Sequence, residues 1–232
     1  MARHSTVRQR TPAVEEDTFV SGVLEATDWT RRHGRMILYA IGAVVVIIAL
    51  AVYYRSYRSA LDAKAAGDLD QIRSIAASGN IPLAQRQLTQ FVGKYSGTHA
   101  GDEGRVLLAQ VMLDQGNAKG AIPVVDPLAS DLANPLGPTA ALLLGAAYEG
   151  TGDYPKAIAT YTRIGDKAPY QFQRRDALEN AARLKLQHSD AAGAAAIYKQ
   201  ILASIPDTAT GRSVYEMRLA QAQAQTQGGA RK

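Results

Sequence analysis

The residues with the widest chemical repertoire are thinly spread along this sequence. Histidines stand at 4, 33, 99 and 188, none within four residues of another, so no local pair exists to grip a metal ion. Cysteine is absent, which removes disulfides, thiol nucleophiles and thiolate metal sites at once. The acidic pairs Asp126 with Asp131 and Asp68 with Asp70 fall on helical stretches or caps, where solvated carboxylates are routine, and neither has the look of a proton-exchanging dyad. Gly145, Gly150 and Gly152 mimic part of a phosphate-cradling loop but lack the strand that such a loop must follow. No Gly-x-Ser-x-Gly elbow occurs. These features predict a chain that is not an enzyme, with no cofactor, no metal and no small-molecule substrate.

What the chain does carry is a long apolar run. Met36 to Tyr54 reads MILYAIGAVVVIIALAVYY, nineteen residues without a charge or a proline. At about 1.5 Å of rise per residue, a helix of this length spans roughly 28 Å, close to the hydrocarbon thickness of a bilayer. Ten of its residues are Ile, Leu or Val, each favouring insertion by about 0.3–0.6 kcal/mol. In hydrocarbon the backbone must satisfy its own hydrogen bonds, so the run is expected to be helical despite its β-branched content. Arg31, Arg32, His33 and Arg35 stop it on one side, Arg55 and Arg58 on the other, with Trp29, Tyr53, Tyr54 and Tyr57 at interfacial depth. A buried core helix or a helix lying flat on a membrane would show a polar face, and none is visible. A cleaved signal peptide would have a short basic start and a small-residue cleavage site, whereas 35 residues precede this run and Arg-Ser-Tyr-Arg follows it. The expectation is one uncleaved transmembrane helix over 36–54, in contact with lipid.

Around it, charge divides evenly: six Lys/Arg against five Asp/Glu before the run and twenty against sixteen after it. Neither part is basic enough for nucleic acid. Local charge does not decide orientation, since each flank carries three Lys/Arg within about fifteen residues. A long following domain translocates largely regardless of its charge, which places the N-terminus in the cytoplasm and the large C-terminal part outside it. Residues 1–35 then read as a cytoplasmic tail. Met1 to Thr18 lacks the apolar content to order itself, and Phe19, Val20, Val23 and Leu24 form one face of a short amphipathic helix. Residues 55–67 read as a juxtamembrane linker that continues the helix until Gly67.

From Asp68 the sequence repeats. Gly79-Asn80-Ile81-Pro82-Leu83-Ala84, Gly116-Asn117-Ala118-Lys119-Gly120-Ala121, Gly152-Asp153-Tyr154-Pro155-Lys156-Ala157 and Ser189-Asp190-Ala191-Ala192-Gly193-Ala194 superimpose, their last alanines 37, 36 and 37 residues apart. Four positions on stand Leu88, Val125, Tyr161 and Tyr198; three further on, Phe91, Leu128, Ile164 and Ile201. Gly or Ser followed by Asn or Asp ends one helix in a left-handed residue and caps the next, so the chain doubles back within a few residues. The alanine admits a close helix, and the bulky residue one turn later fills the space beside it. Antiparallel pairs of this kind bury their apolar faces only by stacking on their neighbours. The expected fold is all-α: a transmembrane helix, about four helix pairs over 68–206, and over 207–232 a capping helix with a frayed end. In that last helix Val214, Met217, Ala220 and Ala224 form the apolar side expected to pack on the repeats, with Tyr215 and Leu219 as a second apolar row.

The repeats resemble the tetratricopeptide repeat (TPR) family. Leu144, Gly145, Tyr148, Ala157, Tyr161 and Pro169 in the third unit stand at the family's spacing, with Leu108, Ala109, Ala121 and Leu128 in the second and Ala182, Ala194, Tyr198 and Pro206 in the fourth; the first unit is degenerate on its leading helix, where only Ile72 and Ile75 are in place. The resemblance implies a solenoid whose inner surface is lined by the first helix of each pair. Carried over to this sequence, the inward positions give a partner groove of Glu103, Gln110, Leu113, Leu142, Ala146, Glu149, Glu179, Arg183 and Leu186, with Val106, Thr139 and Asp176 alongside. The Lys and Asn on which the family's two-carboxylate clamp relies are missing, so capture of chaperone C-termini is not implied. The inner face reads equally as an ordinary solvated surface.

As a whole, the layout of a short tail, Trp29 followed by Thr30-Arg31-Arg32-His33-Gly34-Arg35, one span and alanine-rich helical repeats resembles the YfgM-like ancillary subunits of the SecYEG translocon. That resemblance implies a bacterial inner-membrane protein with periplasmic repeats, whose partners are translocon subunits and a membrane-bound periplasmic chaperone. A general envelope scaffold for cell division or outer-membrane assembly, and a reversed orientation with cytosolic repeats, are the alternatives the sequence leaves open.

Overall fold

The computed structural model describes residues 17–208 and 210–229, with side chains described at 34–36, 38–208 and 210–227. The expected disorder of Met1 to Thr18, the amphipathic face of Phe19 to Leu24, the Trp29-to-Arg35 motif and the frayed last residues lie wholly or mostly outside those described side chains. Among the described residues every regular element is a helix: α1 (Asp17–Ala77), α2 (Ile81–Lys94), α3 (His99–Asp114), α4 (Ala118–Ala129), α5 (Gly137–Gly150), α6 (Tyr154–Lys167), α7 (Gln171–Gln187), α8 (Ala191–Ser204) and α9 (Arg212–Gly229). The chain forms two compact units, divided between Tyr57 and Arg58.

In the first unit, the apolar part of α1 has no protein cover. Its large side chains are more than half exposed, from Val44 at 53% to Tyr39 at 75%. A contiguous surface of this kind is costly in water and matched by lipid. By length and composition the helix can cross a membrane.

The second unit begins inside the same helix. Gly67, where composition places the end of the post-span helix, lies within α1, which continues to Ala77. A helical glycine costs only about 1 kcal/mol relative to alanine, and burial of Ala65, Leu69 and Ile72 on either side outweighs that. This stretch is the first helix of the first pair. Arg58 donates to the carbonyl of Gly97 at 2.8 Å and Asp62 accepts from the amide of His99 at 3.1 Å, which ties it to the start of α3.

Four pairs follow the period read from sequence. Ala84, Ala121, Ala157 and Ala194 are fully buried, and Leu88, Val125, Tyr161 and Tyr198 one turn on are nearly so. Asn80, Asn117, Asp153 and Asp190 each cap a helix by accepting from the backbone amide three residues ahead. The residue before each cap is left-handed: Gly79, Gly116, Gly152 and Ser189. Of these four, Ser189, at φ 64°, is the one that carries a side chain. Ser189→Gly is therefore expected to stabilise the repeats by about 0.5–1 kcal/mol, after the larger entropy loss of glycine is deducted. Thermal unfolding should register this as a rise in Tm of about 1–4 °C.

Two hydrophobic clusters hold the solenoid, one built around Leu69, Leu88, Phe91 and Leu108, the other running from Ala109 to Ala222. At the far end α9 packs through Tyr215, Leu219 and the fully buried Ala222. The alternative row is left in solvent, with Val214 42% and Met217 66% exposed. The correction has a simple cause: Tyr215 and Leu219 offer the larger area to α8, and a helix can present only one such stripe to a single neighbour.

Candidate functional site

The expected partner groove divides into two parts. On α5, α7 and α9 the inward residues are bound to one another. Arg183 donates to both carboxylate oxygens of Glu149 at 2.8 Å, and also to Asn180 and Gln187 at 3.3 Å. This charge-assisted fork holds the Arg183 guanidinium above its ordinary pKa. Glu179 accepts from the Tyr215 hydroxyl and, at 3.3 Å, from Arg218. Leu113, Leu142 and Leu186 are half-buried against the core, and Ala146 is half-buried between them in sequence. The polar groups among them already hold one another, and they tie the third pair to the fourth and the fourth to α9.

The other part is open. Arg73 on α1, Glu103, Val106, Leu107 and Gln110 on α3, Leu136 just before α5, and Thr139 and Leu143 in its first half line a cleft of about 440 Å³. Its floor is aliphatic, from half-buried Val106, Leu107, Leu136 and Leu143; Arg73, Gln110 and Thr139 are exposed around it. Glu103 accepts from Arg73 at 2.6 Å and lies 3.3 Å from His99 Nε2. Gln110 donates to Asp114 at 2.8 Å. Of the inward residues read from sequence, Glu103, Val106, Gln110 and Thr139 come together here; Leu113, Leu142, Ala146, Glu149, Asp176, Glu179, Arg183 and Leu186 do not line it. An aliphatic floor with a few polar groups at its edge suits a polypeptide segment. Among the described residues no group of three or more His, Cys, Asp or Glu is placed to hold a metal.

Residues 27–168, more than half of the chain, match the tetratricopeptide repeat-like domain. The chain belongs to this tetratricopeptide repeat-like family. The TPR-like match starts ahead of the apolar run and ends at the close of α6, so α7 to α9 extend the solenoid beyond it. Among solved structures, a crystal structure of nearly identical TPR-like repeats, from a presumptive kinesin light chain of Podospora anserina, superposes with a TM-score of 0.56 at 14% identity. It covers 72% of this chain and 88% of its own, and shares the fold. No curated protein matches the chain. TPR-like repeats are a protein-interaction scaffold, and the all-α solenoid expected from sequence is the fold this chain adopts.

Within the TPR-like frame, the cleft residues that the sequence reading missed follow a rule. Arg73 is the period-equivalent of Gln110, 37 residues earlier, in the degenerate first pair. Leu107 and Leu143 are equivalent to each other at 36 residues, one position beyond the inward Val106 and Leu142. Carrying the inward register back into α1 finds Arg73. Leu107 and Leu143 are reached because the aliphatic floor lies between neighbouring first helices rather than on either one.

Proposed function

We propose that the chain is a non-enzymatic, membrane-anchored scaffold that works as an ancillary subunit of the Sec translocon, with its repeats in the periplasm beside a membrane-bound chaperone. The observation that carries the scaffold reading is the open cleft on α1, α3 and α5, where the inner face keeps an accessible aliphatic floor. The translocon assignment draws its support from the layout of tail, basic cluster, apolar helix and alanine-rich repeats, and from a family match that spans the apolar helix and three of the helix pairs. A tether beside the exit site raises the local concentration of the repeats, so modest intrinsic affinity suffices for transient clients.

The test is site-specific photocrosslinking in cells from position 139, where Thr139 is exposed at the cleft edge. Translocon subunits and a membrane chaperone are the expected products. Division or outer-membrane assembly proteins in their place would transfer the chain to a different envelope machine. Orientation is read separately from single cysteines, since the native chain has none. With an impermeant thiol reagent on cells with a permeabilised outer membrane, Ser204→Cys should label and Ser5→Cys should not; the opposite pattern reverses the topology.

A further inference from the structure

The open cleft carries unbalanced charge. Within its lining Glu103 is matched by Arg73 at 2.6 Å, and the side chains bonded to the lining from outside add two more carboxylates: Asp70 holds Arg73 at 3.1 Å and Asp114 accepts from Gln110 at 2.8 Å. Three anions against one cation leave −2, with histidine counted as neutral. The helices that build the cleft do not make this up. α5 contains no lysine or arginine; the arginine of α3, Arg105, turns to the carbonyl of Val124 on α4 at 3.4 Å; and on α1 the basic residues preceding Arg73 in the second unit are Lys64, nine residues back, and Arg58, which donates to the carbonyl of Gly97. The last turns of α1 and α3, close to Arg73 and Gln110, also lack basic residues, so two helix C-termini keep their partial negative charge. Those C-termini fall at one end of the solenoid because the first helices of successive pairs run the same way. The sequence after the apolar run has twenty Lys/Arg against sixteen Asp/Glu, a net +4, so the cleft is acidic within a basic domain.

We infer that this cleft receives a cationic amphipathic segment of a partner polypeptide, one short aliphatic stretch flanked by lysine or arginine. The aliphatic side chains lie on Val106, Leu107, Leu136 and Leu143, and the flanking cations meet Glu103 in the lining and Asp114 beyond it, where it accepts from Gln110. A partner ending in carboxylates meets like charge here, the reverse of a two-carboxylate clamp. Selectivity of this sort resides more in the rate of encounter and the rejection of acidic segments than in raw affinity. The inference rests on the scaffold reading above and specifies the chemistry of its occupant.

The experiment uses the full-length chain in nanodiscs of neutral phosphatidylcholine, so that a cationic probe finds no anionic lipid, with empty nanodiscs as control. Three fluorescein-labelled peptides of equal length share one Leu/Ala core, flanked by Lys, by Glu or by Ser, and binding is followed by anisotropy at low and at physiological salt. The Lys-flanked peptide is expected to bind tightest, to weaken with salt, and to lose about five- to twentyfold in affinity to the double variant Gln110→Lys/Asp114→Asn, two unit changes of charge at exposed positions. Circular dichroism of that variant should match the parent, because neither side chain is part of the core. Equal binding of the Lys and Glu peptides, or an unchanged affinity in the double variant, overturns the inference. If crosslinking from position 139 still recovers translocon subunits in that case, the scaffold reading stands and only the charge preference is lost. Strong selectivity for the Lys peptide with no translocon product in cells leaves the cationic site in place and moves the chain to another machine.

Discussion

Replacing Tyr161 with alanine is expected to cost about 3–5 kcal/mol, the range for truncating a large buried aromatic side chain. Tyr161 is 3% exposed at the centre of the larger hydrophobic cluster. Its ring lies over Gly145 on the paired helix, so closely that a Cβ at that glycine would clash with the ring. Gly145→Ala alone should therefore overpack the pair and cost about 1–3 kcal/mol. The double variant should cost clearly less than the sum, because removing the ring makes room for the methyl group. Additive losses in urea denaturation would show that the two residues do not meet. The hydroxyl adds a pH signature. Burial first, and the charge of Glu149 second, push Tyr161 up to about 12, with Arg183 acting in the opposite sense. Because the folded chain holds this proton more tightly than the unfolded chain, the associated stability is complete below about pH 10, the ordinary tyrosine value, and is lost as pH rises towards about 12. Tyr215, also raised to about 12, chiefly by burial, acts over the same window. Tyr161→Phe should make stability fall less steeply between about pH 10 and 12 without abolishing the fall, which chemical denaturation at a series of alkaline pH values measures.

How much of this was legible in the sequence depends on how strongly each position is constrained. The helix pairs were, since a cap, a small residue and a bulky residue recur at fixed offsets and each solves a packing problem that no other residue type solves as well. Helix ends were less so. Gly67 reads as an end but is held inside α1 by its buried neighbours, and Pro123 and Pro127 lie inside α4 although each removes a backbone donor. In both cases tertiary burial overrides local preference. The stripe of α9 was ambiguous because two apolar rows exist and only the position of α8 chooses between them. The inner face was legible as a register of positions but not as a site. Nothing in the residue types of Glu149, Glu179 and Arg183 says that they bind one another rather than a partner; the bonds they make with each other and with Tyr215 and Arg218 come from the stacking of separate repeats. The cleft, conversely, needs Arg73 from the pair with the weakest sequence signal.

The largest change in behaviour is expected from two central residues of the apolar run. Its ten Ile, Leu and Val residues together favour insertion by about 3–6 kcal/mol, at about 0.3–0.6 each. Aspartate near the centre of a span costs about 2.5–3.5 kcal/mol. Val46→Asp with Ile48→Asp adds roughly 5–7 kcal/mol and forfeits two of the apolar contributions, a swing of about 6–8 kcal/mol that exceeds the original driving force. Both positions are already more than half exposed, so no protein packing is disturbed. The double variant should leave the membrane pellet on alkaline carbonate extraction, whereas a control that enlarges the apolar surface, Gly42→Leu, should stay in it. The thermal unfolding of the repeats should be the same in all three chains, because both hydrophobic clusters lie wholly within Arg58–Lys232. A variant that stayed in the pellet with its repeats intact would mean that attachment resides in the repeat surface, since two buried carboxylates leave the helix itself no favourable balance with which to remain.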